Sequence, residues 1–484
     1  MTVTTAATYE PVIGLEVHAQ LKTQSKVFCR CAVEHDAPPN SRTCPVCLGL
    51  PGSLPVLNRK AVEYALKTVL AVGGKVNGRS MFARKNYFYP DLPKGYQITQ
   101  HTLPLGEGGV VTYRTADGEC HECRLQRIHL EEDAGKSLHP EHDEAQSRVD
   151  LNRCGAPLVE IVSEPELRSP EQAHGYLQSL KQTLEYLGVC SGDMEKGHFR
   201  CDANVSVKPA GSNTPGVRTE VKNLNSFRWV QRALQFEIDR QVAELEAGRA
   251  VAQATMMWDE KRQVAEPMRV KEEAEDYRYF PEPDIPVLEV SEDWRRSVEE
   301  SLPELPQARR ERFVKQYGIR QYDVEVLTES CQLADYFEAV VRRFDDARAA
   351  ANWIETEVLA DVKGAGVEID EYQVSPEAVA DLLGRVKTGE ISGKIAKTVF
   401  EEMNRTGCDP GDFISERGLA QISSEDELAP VVDRVLVEQA ENVAAYRAGK
   451  KSVLAFLVGQ VMKATGGRAN PELVNMMLMA RLEG

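Results

Sequence analysis

Apolar and polar residues alternate with a period of two in four stretches of the first half of the chain, and that period predicts strands with one apolar and one polar face. In Val12–Leu21, Ile13, Leu15, Val17 and Ala19 alternate with Gly14, Glu16, His18 and Gln20. Glu16 and His18, two apart, therefore share a face. Further on, Ile128 and Leu130 alternate with Arg127, His129 and Glu131, and the run ends in Glu131-Glu132-Asp133, followed by Gly135. Phe199–Lys208 sets Phe199, Cys201, Ala203 and Val205 against Arg200, Asp202, Asn204 and Ser206. Val217–Lys222 sets Val217, Thr219 and Val221 against Arg218, Glu220 and Lys222. If the four strands share a sheet, Glu16, His18, Glu131, Asp202 and Glu220 can converge. Three adjacent carboxylates repel one another, so a site that gathers them holds a cation or tolerates a raised pKa; a solvated acidic turn is the alternative. Oxygen ligands with one imidazole suit a hard divalent cation such as Mg²⁺.

Helical periodicity predicts helices over Asn58–Val72, Ser169–Leu187 and Asn225–Ala247. The second has Ser169 as N-cap, Pro170 in the first helical position and Gly188 just past the end. Around Pro281–Pro286 the chain turns proline-rich, and after Pro303 helical periodicity replaces alternation. A second break falls at Thr406–Gly411. These breaks predict three domains, 1–298, 299–410 and 411–484: an α+β domain built on a mixed sheet, then two all-helical domains. No internal repeat or low-complexity tract is visible.

Composition narrows the picture. The chain has 484 residues, 42% hydrophobic and 27% charged, as an ordinary globular protein does. Its net charge of −17 argues against a broad nucleic-acid-binding surface, so any such contact needs a local basic patch. Tyr446–Arg468 offers one: it carries Arg447, Lys450, Lys451, Lys463 and Arg468 without an acid, the alternative being a solvated helical face. Met1–Glu10 has neither a basic nor an apolar leader segment, and no apolar run is long enough to span a bilayer. The expectation is a cytoplasmic protein with no membrane association.

In that compartment 11 cysteines argue for thiols or metal sites rather than disulfides. Cys29-Arg30-Cys31 and Cys44-Pro45-Val46-Cys47 are two close pairs that can meet tetrahedrally around Zn²⁺. Such a closed site would staple a loop; reduced thiols without metal are the alternative. Cys120 and Cys123 form another CxxC, read as a coincidence in a hairpin. Gly73–Ser80 nearly matches a phosphate-binding loop, but Arg79 stands in the lysine position and a helix precedes it, so that reading fails. No dinucleotide fingerprint, serine elbow or HExxH is found. Lys85–Gln97 is dense in tyrosines and lysines, either a packed surface loop or the polar lining of a substrate path. In Asp150–Glu160, Arg153 has the chemistry to clamp a phosphate, and a structural ion pair fits the spacing equally.

Taken together, these stretches resemble the B subunit of the bacterial aspartyl/glutamyl-tRNA amidotransferases. The resemblance is carried by Ile13–His18, Lys85–Gln97, His129–Lys136, Asp150–Pro165, Arg200–Ser206, Glu220–Phe227 and Asp276–Asp284. In the tail it rests on Gly459–Lys463 and Ala469–Val474. It implies a cradle-shaped α+β domain, a helical domain and a helical tail. It also implies a heterotrimer with an amidase A subunit, which releases ammonia from glutamine, and a small C subunit. ATP would phosphorylate the side-chain carboxylate of Glu-tRNA(Gln) or Asp-tRNA(Asn), and channelled ammonia would displace phosphate. A non-discriminating aminoacyl-tRNA synthetase would supply the mischarged tRNA.

By matching position, the family's divalent-metal ligands fall on Glu16, His18, Glu131, Glu132, Asp202 and Glu220, and its catalytic set on Glu132, Glu16, His18, Asp202 and Glu220. Glu132 also resembles the acidic gate of the ammonia channel, with Lys85, Tyr87 and Lys94 lining the approach. ATP or substrate binding falls on Arg153, Lys222 and Asn223, and tRNA binding on the basic tail. The cysteine quartet occurs in only some members, as a structural feature would. Cys154, Ala156 and the Cys120/Cys123 pair are atypical. No amidase signature is present, which assigns glutamine hydrolysis to another chain. A zinc-stapled tRNA-binding scaffold without catalysis is the competing expectation; it would have no need of the acidic set.

Overall fold

Asn58, Ser169 and Ser226 each offer a side-chain oxygen to the free amides of the next turn, and a helix starts after each. The computed structural model, which describes residues 9–34, 36–138, 147–270, 277–422 and 424–483, shows these helices as α1 (Arg59–Ala71), α2 (Pro170–Tyr186) and α3 (Phe227–Glu246). Each cap contributes about 1 kcal/mol. Gly188, at φ 66°, follows α2 in a left-handed conformation that costs glycine nothing.

The strands that bear on the site are β1 (Tyr9–Gln20), β2 (Phe82–Asn86), β3 (Tyr96–Gln100), β4 (Cys120–Glu132), β5 (Pro157–Ser163), β6 (Phe199–Pro209), β7 (Thr219–Leu224), β8 (Ala254–Asp259), β9 (Val264–Val270) and β10 (Phe280–Pro281). One large sheet runs in the order β9-β8-β7-β6-β1-β5-β4, then through the two-residue strands Gly106–Glu107 and Lys75–Val76. Val110–Arg114 pairs with the first part of β4. The β7–β8 pair is parallel; the other pairs are antiparallel. All four alternating stretches thus lie in one sheet, and β5 is inserted between β1 and β4.

The period of two now has its physical cause. Ile13, Leu15, Val17 and Ala19 of β1 join Ile128 and Leu130 of β4 in one core with Val62 and Leu66 of α1, Leu180 of α2 and Leu234 of α3. Burying each large aliphatic side chain stabilises the fold by about 1.5–3 kcal/mol. A second sheet, β10-β2-β3, lies beside the end of β4: Gln100 accepts from the Leu130 amide at 3.1 Å, and Thr99 Oγ1 donates to Glu131 at 3.1 Å. The turn after β4 needs Gly135, because a Cβ there would stand 2.9 Å from the Asp150 carbonyl oxygen and 3.0 Å from that of Asp91.

The chain's contacts divide it into residues 1–308 and 309–484. The division falls past 298 because Val298 is part of the first core, and Leu302 and Leu305 pack against it. Among the described residues of the second unit all named elements are helical. This unit has two apolar cores, one from Phe313 to Ile414 and one from Leu428 to Leu482. The second of these is built from α4 (Glu425–Glu438), α5 (Ala440–Arg447), α6 (Val453–Ala464) and α7 (Pro471–Glu483). Among the described residues no helix is long and apolar enough to cross a membrane.

Candidate functional site

Antiparallel register lines up the polar faces. Arg200 of β6 faces His18 of β1, His18 faces Glu160 of β5, and Glu160 faces His129 of β4. One row further, Asp202 faces Glu16, and beyond it Asn204 faces Glu220. Side chains directly opposite one another sit about 5 Å apart at Cβ, so these rows converge without any special loop.

The tightest group is His18, Glu131 and Glu160, whose ligand atoms all lie within 4.8 Å of one another. His18 Nε2 is 3.4 Å from Glu160 and 3.6 Å from Glu131. His129 Nε2 is 3.2 Å from the same Glu160 oxygen and 3.6 Å from Glu131. Burial alone would lower both imidazoles, but the carboxylates prevail: Glu160 and Glu131 hold His18 above its usual pKa and push His129 up to about 9. Burial opposes ionisation of Glu160 in turn, yet the two imidazoles hold it well below the usual carboxylate range. Two carboxylates therefore face two imidazoles, an arrangement of donors that suits a divalent cation.

A second acidic group adjoins it. Lys222 Nζ lies 3.0 Å from both Asp202 and Glu220. Burial would lower this ammonium, and the two carboxylates raise it instead. Glu16 accepts from Asn204 Nδ2 at 2.8 Å; burial and the neighbouring Glu160 raise its carboxyl. Thr255 Oγ1 donates to Glu220 at 3.1 Å. Asn223 is in the left-handed region, φ 66°, and its amide is bonded to the Trp258 carbonyl at 3.0 Å.

Glu132 does not join these groups. It follows Glu131 in a strand, so its side chain leaves the opposite face. Its carboxylate bonds Lys94 Nζ and accepts from the Ile98 amide at 2.9 Å. Gln97 bonds the Glu132 carbonyl at 2.7 Å and lies 3.5 Å from the Tyr87 hydroxyl, and Lys85 sits 4.7 Å from the Tyr277 ring centre. Burial, with the acids around it, raises the Tyr87 phenol. Beside Glu132 is a pocket of about 170 Å³ lined by Lys26, Cys29, Cys47, Lys94 and Tyr96 among others. Arg153 takes part in an ion pair. Its guanidinium lies 3.4 Å from Asp133 and donates to the carbonyls of Ala134 and Gly135, at 3.1 and 2.6 Å. Arg200 holds the other oxygen of Asp133 at 2.9 Å.

Glu160 and His129 are not among the site residues expected from the sequence. The available signal was an acid inside the otherwise apolar run Leu158-Val159-Glu160-Ile161-Val162, where an unpaired carboxylate is costly to bury. Asp276, the first residue of the Asp276–Asp284 stretch, lies outside the described residues.

The four cysteines Cys29, Cys31, Cys44 and Cys47 bring their sulfurs within 4.8 Å of one another, and none is in a disulfide. The group can hold a metal ion such as zinc. A hydrogen bond from Cys29 and another from the backbone lower the Cys47 thiol to about 4, against the effect of burial. Cys120 is exposed and Cys123 buried, three apart on β4 and so on opposite faces.

The basic run of the tail is divided by its own helix. Arg447, Lys450 and Lys451 precede α6, while Lys463 and Arg468 lie at and beyond its end, about 18 Å away along twelve residues. Lys451 stacks on Tyr446 at 4.1 Å and pairs with Glu483 at 3.3 Å. Arg468 donates to the carbonyls of Gly418 and Thr465, at 3.0 and 3.2 Å.

The sequence of the chain is similar to known proteins. The family described as the GatB/GatE catalytic domain matches residues 11–296, and the one described as the GatB domain matches residues 335–482. The B subunit of the aspartyl/glutamyl-tRNA(Asn/Gln) amidotransferase of Carboxydothermus hydrogenoformans is 51% identical over 476 residues, 98% of this chain and 99% of that one. The corresponding protein of Moorella thermoacetica is 53% identical over 475 residues, 98% and 100% of the two chains. That of Myxococcus xanthus is 50% identical over 474 residues, 98% of each.

Proposed function

This chain belongs to the B-subunit family of the aspartyl/glutamyl-tRNA amidotransferases, and on that premise we propose that it amidates the side-chain carboxylate of Glu-tRNA(Gln), Asp-tRNA(Asn) or both. It does so at the polar sheet face, as an ATP-dependent ligase subunit in the cytoplasm. Its partners are the amidase A subunit, the small C subunit, the mischarged tRNA and the non-discriminating synthetase that charges it. The observation that carries this reading is the convergence of His18, Glu131 and Glu160, with Glu16, Asp202 and Glu220 on the adjoining strands.

A carboxylate is a poor acylating agent because oxide would have to leave. Transfer of the ATP γ-phosphoryl group to a carboxylate oxygen, with ADP departing, provides phosphate as the leaving group. Ammonia then attacks the carbonyl carbon, phosphate leaves and the nitrogen gives up a proton. The donor set fits Mg²⁺: carboxylate oxygens from Glu131, Glu160, Glu16, Asp202 and Glu220, plus the His18 imidazole, would hold it. When bound, Mg²⁺ supplies neutralisation of phosphate charge during transfer. Lys222, between Asp202 and Glu220, is positioned to offer its ammonium to a phosphate oxygen. Glu132, behind the strand and paired with Lys94, suits the role of the buried acid that receives the proton from ammonia, with Lys85 and Tyr87 on the approach. Structural zinc at Cys29, Cys31, Cys44 and Cys47 holds the loop that walls the adjacent pocket. The exposed Arg447, Lys450, Lys451 and Lys463, with Arg468, contribute phosphate contacts to tRNA.

The test is amide formation by the Asp202→Ala and Glu220→Ala variants of this chain in the assembled complex. Both are expected to lose transamidation while the partner's glutamine hydrolysis stays measurable. Near-normal transamidation in both would sink the assignment of this face.

A further inference from the structure

Lys26 is the unusual residue of the first unit. Its side chain is completely buried. Its ammonium donates to the Arg42 carbonyl at 2.7 Å and to Cys47 Sγ at 3.6 Å. Among the described residues no carboxylate lies within ion-pair distance of it. Its backbone amide donates to the Cys31 carbonyl at 3.0 Å, so one residue touches both cysteine pairs. Gly155, at φ 81°, closes the space on the other side: a Cβ there would stand 3.5 Å from Lys26 Cδ and from Cys47 Cβ.

A buried ammonium without a carboxylate is strongly unfavourable unless another anion faces it. Without metal the group offers at most one negative charge, at Cys47. Four thiolates around one divalent ion offer more, because the centre keeps a net double negative charge. We propose that Lys26 is the charge-compensating residue of the four-cysteine centre, its ammonium donating to the Cys47 sulfur and holding the metal in place. It ligates nothing itself and acts through Cys47. Outer-sphere donors of this kind change metal affinity by roughly 10–100-fold. Lys26 also lines the pocket shared by Cys29, Cys47, Lys94 and Glu132, so the same ammonium fixes the wall behind the proposed ammonia-side acid.

The inference rests on the zinc reading above, and the experiment separates the two. Elemental analysis of the full chain purified without chelator comes first; absence of zinc removes the zinc reading and this proposal with it. If zinc is present, its release to a chromogenic chelator is compared between wild type and Lys26→Met. About tenfold faster release is expected from the variant. Thermal melting adds a second readout. Lys26→Met lowers melting more with zinc bound than stripped of zinc, because the ammonium faces a doubly negative centre with the metal and at most a single Cys47 thiolate without it. Release within twofold of wild type, or equal melting shifts in both states, would overturn the proposal while leaving the zinc reading intact. If Lys26→Met does not fold, Lys26→Gln, which keeps a donor and drops the charge, carries the same comparison. Failure of both to fold with zinc present would assign Lys26 to the fold rather than the centre, and would overturn the proposal too.

Discussion

Among the described residues of the first unit, two groups are able to hold a metal, and they are made in opposite ways. The four cysteines come from nineteen consecutive positions, Cys29 to Cys47, whose described residues include no named helix or strand. His18, Glu131 and Glu160 come from three strands, and nothing local brings them together. A loop site of closely spaced soft ligands can form around the ion itself. A strand site exists only after the sheet has closed, and its spacing is set by register. The two groups should therefore fail for different reasons.

The largest expected difference is in catalysis. Glu160→Ala should lower transamidation about 10³-fold by removing a ligand and unbalancing two imidazoles. Glutamine hydrolysis by the partner and zinc content should stay near wild type, as measured by product analysis and elemental analysis. A loss under tenfold would mean that the metal sits elsewhere on this face.

Next is the dependence on core packing. Leu130 is fully buried between His129 and Glu131, and Leu130→Ala should cost about 2–5 kcal/mol. Chemical denaturation would read the loss, and Mn²⁺ binding followed by magnetic resonance should weaken with it. Zinc content should not change. Equal loss of both metals would erase the distinction between strand-built and loop-built sites.

The converse test is milder. Cys44→Ser should abolish zinc binding and lower melting of the full chain by several degrees, about 2–4 °C per kcal/mol lost. Mn²⁺ affinity on the sheet face should stay within about threefold, the size of effect expected for a group that makes no contact with it. A collapse of Mn²⁺ binding would show that the staple supports the sheet itself.

The smallest effect concerns the tail, on which neither group depends. Ile414 belongs to the second core and Leu428 to the third, so deletion of residues 424–484 removes one core and leaves the other. It should raise KM for tRNA about tenfold and flatten its salt dependence, because fewer counterions are released. Lys450→Glu with Lys451→Glu should reproduce part of this. Unchanged KM and salt slope would leave tRNA binding to the first unit and the partner subunits.

Much of this protein was legible along the chain because the causes are local. Asn58, Ser169 and Ser226 cap helices whatever surrounds them, since a cap needs only the next turn. The period of two in Val12–Leu21 already announced a buried side and a polar side, and Cys29 to Cys47 are near enough in sequence to meet in any compact loop. Tertiary structure decided what no spacing records. Inserting Pro157–Ser163 between β1 and β4 brought Glu160 against two histidines, and its pairing with His18 joins residues more than a hundred positions apart. The same strand geometry sent Glu131 and Glu132, neighbours in the chain, to opposite faces and different partners. Sequence by itself determined which side chains each strand turns to its polar face, because pleating alternates by rule. Only the closed sheet decided which of those faces meet, because strand order and register depend on burying every apolar face at once.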